Sequence, residues 1–227
     1  MILSVTFIRK EERMYKHVLF DLDGTLTDSK EGIVKSVVYG LKKLGITTID
    51  QDKLDTVVGP PLMTTFLETY GFSMDMATQA YEYFQERYST IGKFENRPYD
   101  GIIAMLRRLQ EHGVNSYLAT SKPLVHAQAI ADKFGLTPYF TKISGSALGG
   151  VEEKDYIINQ ILQAIGPYDD GEVVMVGDRK FDVIGARKSG IPVIVVSYGY
   201  GNEAERRAFP ADAEAATVQE LSQILLN

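Results

Sequence analysis

Two acidic clusters stand where an apolar strand would end. The first is Asp21-Leu22-Asp23-Gly24-Thr25-Leu26-Thr27-Asp28, directly after Val18-Leu19-Phe20. Two carboxylates two residues apart at such an end point into one cavity, and in open α/β sheets ligands bind beyond the carboxyl ends of the strands. Gly24 permits a tight turn and a close backbone approach to a ligand. Taken alone, the segment also reads as an Asp-Gly turn with local Asp and Thr caps. A second cluster weakens that alternative. Gly177-Asp178-Arg179-Lys180-Phe181-Asp182 follows Val173-Val174-Met175-Val176. In a parallel sheet the two strand ends lie on the same side. Asp21, Asp23, Asp178 and Asp182 gathered there would repel one another without a cation, and oxygen-only ligands suit Mg²⁺. Asp182 taken singly could equally cap the helix that follows.

Two further segments could hold an anion. The run Val114 to Ala119 ends in Thr120-Ser121-Lys122-Pro123, and Pro123 suits the first turn of a helix. Backbone N–H groups and hydroxyls at such a place can bind phosphate oxygens, although a simple Ser/Thr cap has the same signature. Lys154 lies in Glu152-Glu153-Lys154-Asp155. Read alone it is a solvated surface lysine, and only the other clusters raise it to a candidate.

These residues need a scaffold of strand ends, and the hydrophobic pattern supplies one. Apolar runs recur at Val18–Phe20, Val114–Thr120, Phe140–Ser144, Val173–Val176 and Ile191–Val196. Continuous runs of this kind mark strands buried on both faces. Helical stripes separate them, one formed by Ile102, Ile103, Leu106 and Leu109, another by Ile158, Ile161, Leu162 and Ile165. The alternation predicts an α/β fold with a doubly wound parallel sheet. From Ser29 to Asn96 the pattern is helical and no strand is evident. Ile33, Val34, Val37, Val38, Leu41 and Leu44 form one stripe there, and Ala77, Ala80, Tyr81, Phe84, Tyr88 and Ile91 another. Tyr81, Phe84 and Tyr88 could line a ligand groove, but helix core is the simpler reading. The expected organisation is an extension over 1–13, an α/β core over 14–28 and 97–227, and a helical insertion over 29–96.

Composition bounds the possibilities. The chain has 227 residues, a formal net charge of −6 and no cysteine. Disulfides, thiolate metal sites and a cysteine nucleophile are excluded, which fits a reducing compartment and an expected cytoplasmic location. An acidic chain without a basic tract gets no steering toward a nucleic acid polymer. No apolar run approaches the roughly 20 residues that span a bilayer. Met1 to Arg13 is apolar first and charged second, the reverse of a signal peptide. We expect a tag-like extension or upstream start there, with Met14 a candidate native start and Met1 the alternative. The intact mass of protein from its native source checks this.

At these residues the sequence resembles the haloacid dehalogenase-like hydrolase superfamily, in its phosphatase branch. Asp21-x-Asp23-Gly24-Thr25 is similar to that family's first motif, Thr120 or Ser121 to the second, Lys154 to the third, and Gly177-Asp178 through Asp182 to the fourth. The resemblance runs from about Tyr15 to Gly201. The insertion after the first motif looks like the family's helical cap on a Rossmann-like core. Gly59-Pro60-Pro61-Leu62, Asn96-Arg97-Pro98-Tyr99-Asp100-Gly101 and Tyr198-Gly199-Tyr200-Gly201 resemble stretches of the phosphoglycolate phosphatase-like group, some of whose look-alikes are nucleotidases.

The resemblance implies a Mg²⁺-dependent phosphomonoesterase acting on a small phosphorylated metabolite. Asp21 would be the nucleophile and Asp23 the acid and base. The metal would lie among Asp21, the main-chain carbonyl of Asp23, and Asp178, with Asp182 orienting metal waters or Lys154. Gly24, Thr25, Thr120, Ser121 and Lys154 would hold phosphate oxygens. Lys93 and Arg97 are candidates for a polar or anionic substrate tail, with solvated charge as the alternative. A 5'-nucleotidase remains open, as does a phosphosugar mutase of the same fold, against which Thr25 argues mildly. A dehalogenase has no use for Asp23 and Asp178. A phospho-receiver signalling domain shares the acidic pocket, but the insertion and Asp23 favour turnover. Nothing in the sequence separates monomer from dimer.

Overall fold

The computed structural model describes residues 15–150 and 152–227. The expected extension and the start at Met14 lie outside the described residues. The chain opens with β1 (His17–Phe20) and, after the Asp21 loop, β2 (Thr27–Asp28). A run of helices follows: α1 (Lys30–Lys43), α2 (Gln51–Asp55), α3 (Leu62–Thr64), which continues as one π turn over Thr65–Thr69, and α4 (Met74–Tyr88). The chain then returns through β3 (Arg97–Pro98) to α5 (Ile102–Glu111), β4 (Asn115–Pro123), α6 (Leu124–Lys133) and β5 (Phe140–Ser146). It ends with α7 (Lys154–Ile165), β6 (Val173–Gly177), α8 (Lys180–Lys188), β7 (Val193–Val196), α9 (Glu203–Ala208), β8 (Ala213–Ala215) and α10 (Val218–Leu226).

Six strands form one parallel sheet in the order β5-β4-β1-β6-β7-β8. β1 is central, and the chain winds outward from it on one side and then on the other. The carboxyl ends of β4, β1 and β6 therefore meet at the topological switch point, where such sheets bind ligands. Alternation along β1 sends Val18 and Phe20 into one core and Leu19 into another. The first core holds Ile102, Leu106, Ile130 and Leu221 of α5, α6 and α10, and the second Ile157, Ile161, Val183 and Ala186 of α7 and α8. Each fully buried side chain of this size contributes about 1.5–3 kcal/mol.

The insertion has a third core, in which Ile33, Val37 and Leu41 of α1 pack with Ala77, Ala80, Phe84 and Tyr88 of α4. Its entry and exit strands pair as a short antiparallel ribbon, Thr27 with Pro98 and Asp28 with Arg97. The outgoing and returning chain are thereby held side by side at the hinge.

Some sequence expectations shift. Ile103 is 38% exposed, because on α5 the buried face is Ile102, Met105, Leu106 and Leu109, and Ile103 lies one residue off that row. Ile91 is 56% exposed and lies beyond the end of α4. β4 runs on through Pro123, since Pro123 still pairs with Ser146 of β5 after a register shift. β7 begins at Val193, after Pro192. β8 is an unexpected sixth strand, Ala-Glu-Ala, too short and too polar to show as an apolar run.

Candidate active site

Asp21 leaves the central strand with its amide still bonded to Val176 O of β6 at 2.9 Å. Its carboxylate is buried and meets Lys154, the first residue of α7, with Oδ1 to Nζ at 2.6 Å. The same amine donates to Ala119 O of β4 at 3.0 Å and lies 2.8 Å from Asp182 Oδ1. Lys154 thus ties three chain segments together at the switch point. Burial would lower its pKa, but the charges of Asp182 and Asp21 overcome this and hold the amine well above its usual value.

Asp182 has both roles that its sequence position allows. Oδ2 accepts the amides of Asp178 and Arg179 at 3.2 and 3.1 Å, capping α8, while Oδ1 faces Lys154. Asp178 is buried, and its Oδ2 accepts the amide of Tyr200 at 2.6 Å. Its Oδ1 is buried with no donor. Carboxylate oxygens of Asp21, Asp178 and Asp182 lie within 4.8 Å of one another. Burial, opposed by Lys154, raises the Asp21 carboxyl to about 6. Burial and then the charges of Asp182 and Asp21 raise Asp178 well above the carboxylate range. A buried set of hard oxygen donors, one lacking any partner, fits a metal ion, which would offset this repulsion.

Gly24 and Gly199 are required by close packing here. Gly24 has φ +83°, and a Cβ on it would fall 2.2 Å from Asp178 Oδ2. A Cβ on Gly199 would lie 2.4 Å from both Asp178 Cβ and Gly24 O. Thr25 is buried with its hydroxyl unpartnered, and its carbonyl accepts the Tyr198 hydroxyl at 3.0 Å. Thr120 is buried on β4, with Oγ1 accepting the Lys122 amide at 3.2 Å. Ser121 borders both a small cavity and an adjoining cleft that Lys154 also lines.

Asp23 looks the other way. Its carboxylate is not part of the acidic cluster among the described residues. Oδ2 pairs with Lys122 Nζ at 2.8 Å, while Oδ1 is buried without a partner. Asp23 lines the smaller cavity, of about 70 Å³, together with Tyr81, Phe84 and Tyr88 of the insertion. Those three rings were set between groove and helix core; Phe84 and Tyr88 belong to the core of the insertion and border the cavity as well. Tyr88 accepts a hydrogen bond from Lys122 at 2.5 Å, joining the insertion to the pair with Asp23. His126 also borders the cavity; its Nε2 lies 2.8 Å from Gln85 Oε1, and burial with nearby Lys122 and Lys93 lowers it to about 4.

Lys93 and Arg97 do not line this cavity. The Arg97 side chain is 80% exposed and pairs with Asp28 at the ribbon. Sequence reasoning passed over Lys122 and Tyr200 as site residues, and named Tyr88 only as a possible groove-lining ring. Lys122 was visible only as part of a Ser-Lys-Pro run, and its meeting with Tyr88 joins core and insertion across the closed interface. Tyr200 is 171 residues from its partner Ser29.

One consequence concerns stability. Asp21 is raised from its usual 3.8 to about 6, so the folded metal-free protein binds a proton more tightly than the unfolded chain. The resulting penalty is absent below the unfolded value, sets in as pH rises through that window, and is complete above it. The gain in Tm on adding Mg²⁺ is therefore expected to be larger at pH 7.5 than at pH 5. Asp178→Asn should raise the metal-free Tm by roughly 2–4 °C, corresponding to about 1 kcal/mol in a chain of this size, while abolishing the gain with metal. Scanning fluorimetry with and without chelator checks both.

The chain has known relatives. Residues 18–196 match the family of haloacid dehalogenase-like hydrolases, and the chain belongs to it. A 5'-nucleotidase of Pseudomonas aeruginosa is 41% identical over 93% of this chain and 96% of its own. A phosphoglycolate phosphatase of Agrobacterium fabrum is 31% identical over 80% of each chain. Tyrosine-protein kinase PtkA of Mycobacterium tuberculosis is 36% identical over 92% of this chain and 72% of its own. A predicted phosphatase from Clostridium acetobutylicum superposes with a TM-score of 0.88 at 42% identity, covering 94% of this chain and 99% of that one. Within the family this protein is a phosphatase. Among the described residues no helix is long and apolar enough to cross a membrane.

Proposed function

We propose that the protein is a cytoplasmic, Mg²⁺-dependent phosphomonoesterase that works through an aspartyl-phosphate on Asp21 and acts on a small phosphorylated metabolite. The observation that carries this reading is the opposed surroundings of two carboxylates two residues apart. Asp21 sits in the acidic cluster against Lys154, and Asp23 faces the cavity with a free Oδ1. A nucleophile needs the first setting, and a proton donor to a leaving group needs the second.

Asp21 and Asp178, with the main-chain carbonyl of Asp23, would hold Mg²⁺; Asp182 has its oxygens engaged by Lys154 and two amides and orients the set. When bound, the ion neutralises phosphoryl oxygens and the charge that builds on them. The chain does the rest. Lys154 and the Ser121 and Thr120 region, with Thr25, hold the phosphate oxygens in line with Asp21. An Asp21 oxygen attacks phosphorus as the bond to the leaving oxygen breaks. That oxygen takes its proton from Asp23 and leaves into the cavity. Water then attacks phosphorus, passing a proton to Asp23, and the bond to Asp21 breaks to restore both carboxyl groups. The helical insertion over 29–96 acts as a cap that excludes bulk water and meets the leaving group.

The similarity to a protein named 5'-nucleotidase over nearly the full length favours a second reading of the substrate, a nucleoside monophosphate. Phosphate release from p-nitrophenyl phosphate with Mg²⁺, followed by a panel of phosphometabolites ranked by kcat/KM, tests both. Absence of Mg²⁺-dependent release across the whole panel contradicts the proposed function.

A further inference from the structure

The loop after β7 contains a residue that the chemistry above does not use. Tyr200 is tied to the acidic cluster at one end and to the insertion at the other. Its amide donates to Asp178 Oδ2 at 2.6 Å. Its hydroxyl accepts the amides of Ser29 and Lys30 at 2.7 and 3.0 Å, and donates to Asp28 Oδ1 at 3.0 Å. A phenol has one proton and two lone pairs, and these three bonds engage all of them, with the Tyr99 hydroxyl close beside.

The partners of that hydroxyl are the hinge. Asp28 closes the two-stranded ribbon, and Ser29 and Lys30 begin α1. The first amides of a helix have no intrahelical acceptor and need an external one. Ser29 is the N-cap residue, but its side chain makes no capping bond and its hydroxyl is buried without a partner. The phenol of Tyr200 satisfies the amides of Ser29 and Lys30 at this helix start from 171 residues away. Its ring also packs on the apolar core of the insertion.

The backbone on either side of Tyr200 is wedged against Asp178. A Cβ on Gly199 would lie 2.4 Å from Asp178 Cβ, and one on Gly201 would lie 2.1 Å from Asp178 O. The main chain on both sides of Tyr200 therefore packs directly against Asp178. A shift of α1 pulls the phenol, the phenol pulls its own main chain, and the main chain carries the amide that fixes one oxygen of Asp178.

We propose that Tyr200 is a positioning residue that couples the seating of the helical insertion to the carboxylate of Asp178, so that metal binding and closure of the hinge favour each other. The proposal rests on the reading of Asp178 as a metal ligand. Linkage makes the coupling reciprocal: Mg²⁺ stabilises the hinge contacts, and the hinge contacts tighten Mg²⁺.

The test uses the full chain and Mg²⁺ alone. Amide exchange at Ser29 and Lys30 is followed by NMR without and with Mg²⁺, and the Mg²⁺ Kd is measured by calorimetry. In the unsubstituted protein Mg²⁺ is expected to slow exchange at both amides at least tenfold. In Tyr200→Phe, which keeps the ring and the Asp178 amide bond and loses only the hydroxyl, the Mg²⁺ Kd should rise threefold or more and Mg²⁺ should no longer slow exchange. Asp28→Asn removes the charged acceptor more gently, and should show the same two changes at smaller size if Tyr200→Phe does not fold. An unchanged Kd in a folded Tyr200→Phe or, if that variant does not fold, in Asp28→Asn overturns the coupling, and so does exchange that Mg²⁺ leaves unchanged in the unsubstituted protein. A protein that shows this linkage and hydrolyses no phosphomonoester contradicts the proposed function alone; a phosphatase without the linkage contradicts the coupling alone.

Discussion

Asp21→Asn is expected to lower kcat by on the order of 10⁴-fold or more on every phosphomonoester, good and poor leaving groups alike. The amide keeps the size of the carboxyl group but cannot attack phosphorus, and no second carboxylate stands in its place. Asp178 and Asp182 share the cluster, yet Asp182 is engaged by Lys154 and the α8 amides, and Asp178 has one oxygen fixed by the Tyr200 amide and the other proposed for the metal. The folded protein should survive the change, because Lys154 retains Ala119 O and Asp182 as partners and a buried carboxylate is removed from a crowded set. Steady-state assays with p-nitrophenyl phosphate and with an alkyl phosphate, alongside a Tm measurement, check all three statements. A residual rate within tenfold of the unsubstituted enzyme is incompatible with Asp21 as nucleophile.

Asp23→Asn should behave differently. Loss of the proton donor costs about 10²–10⁴-fold on alkyl phosphates, whose leaving oxygen needs a proton. p-Nitrophenolate leaves without one, so the first half-reaction on p-nitrophenyl phosphate should remain fast. The second half-reaction lacks its base, and the phosphorylated enzyme should accumulate. Rapid mixing is therefore expected to show a burst of p-nitrophenol equal to the enzyme concentration, followed by slow turnover. Equal losses on both substrates with no burst would show that Asp23 is not the acid and base. The geometric basis of this assignment is that Asp23 lines the cavity, with Oδ2 anchored by Lys122 and Oδ1 without a hydrogen-bond partner.

The parts of the molecule legible in the sequence are those written in local patterns. Val18–Phe20 and Val173–Val176 are continuous apolar runs because β1 and β6 are covered on both faces, and their identity as central strands follows from that. Asp21 and Asp178 could be placed at one site because parallel strands present their carboxyl ends on one side. The sheet edge was less legible. β8 is three residues long and held chiefly by its pairing with β7, so no apolar run announces it. The two-residue strands β2 and β3 acquire their meaning only from meeting each other across the insertion.

Contacts that close the site are of the second kind. Lys122 reads as a lysine before a proline until Asp23 and Tyr88 are seen on either side of it. Tyr200 reads as one aromatic residue between glycines until its hydroxyl is found at the start of α1. Lys93 and Arg97 show how little charge alone says about placement. Charge made them candidates for a substrate tail, but the cavity beside Asp23 is bordered by aromatic rings, His126 and Lys122 instead. Type and spacing identify groups that react; the surfaces that surround a leaving group are assembled from distant segments.

The central claim is that a phosphoryl group passes through Asp21. Its most direct test is to mix the enzyme and Mg²⁺ with a phosphomonoester, quench in acid within milliseconds, digest, and weigh the peptides. The expected result is a hydroxylamine-labile mass increase of about 80 Da on the peptide that contains Asp21, stronger in Asp23→Asn and absent in Asp21→Asn. Turnover with no such adduct in either the unsubstituted enzyme or Asp23→Asn, or an adduct on any other residue, would contradict it.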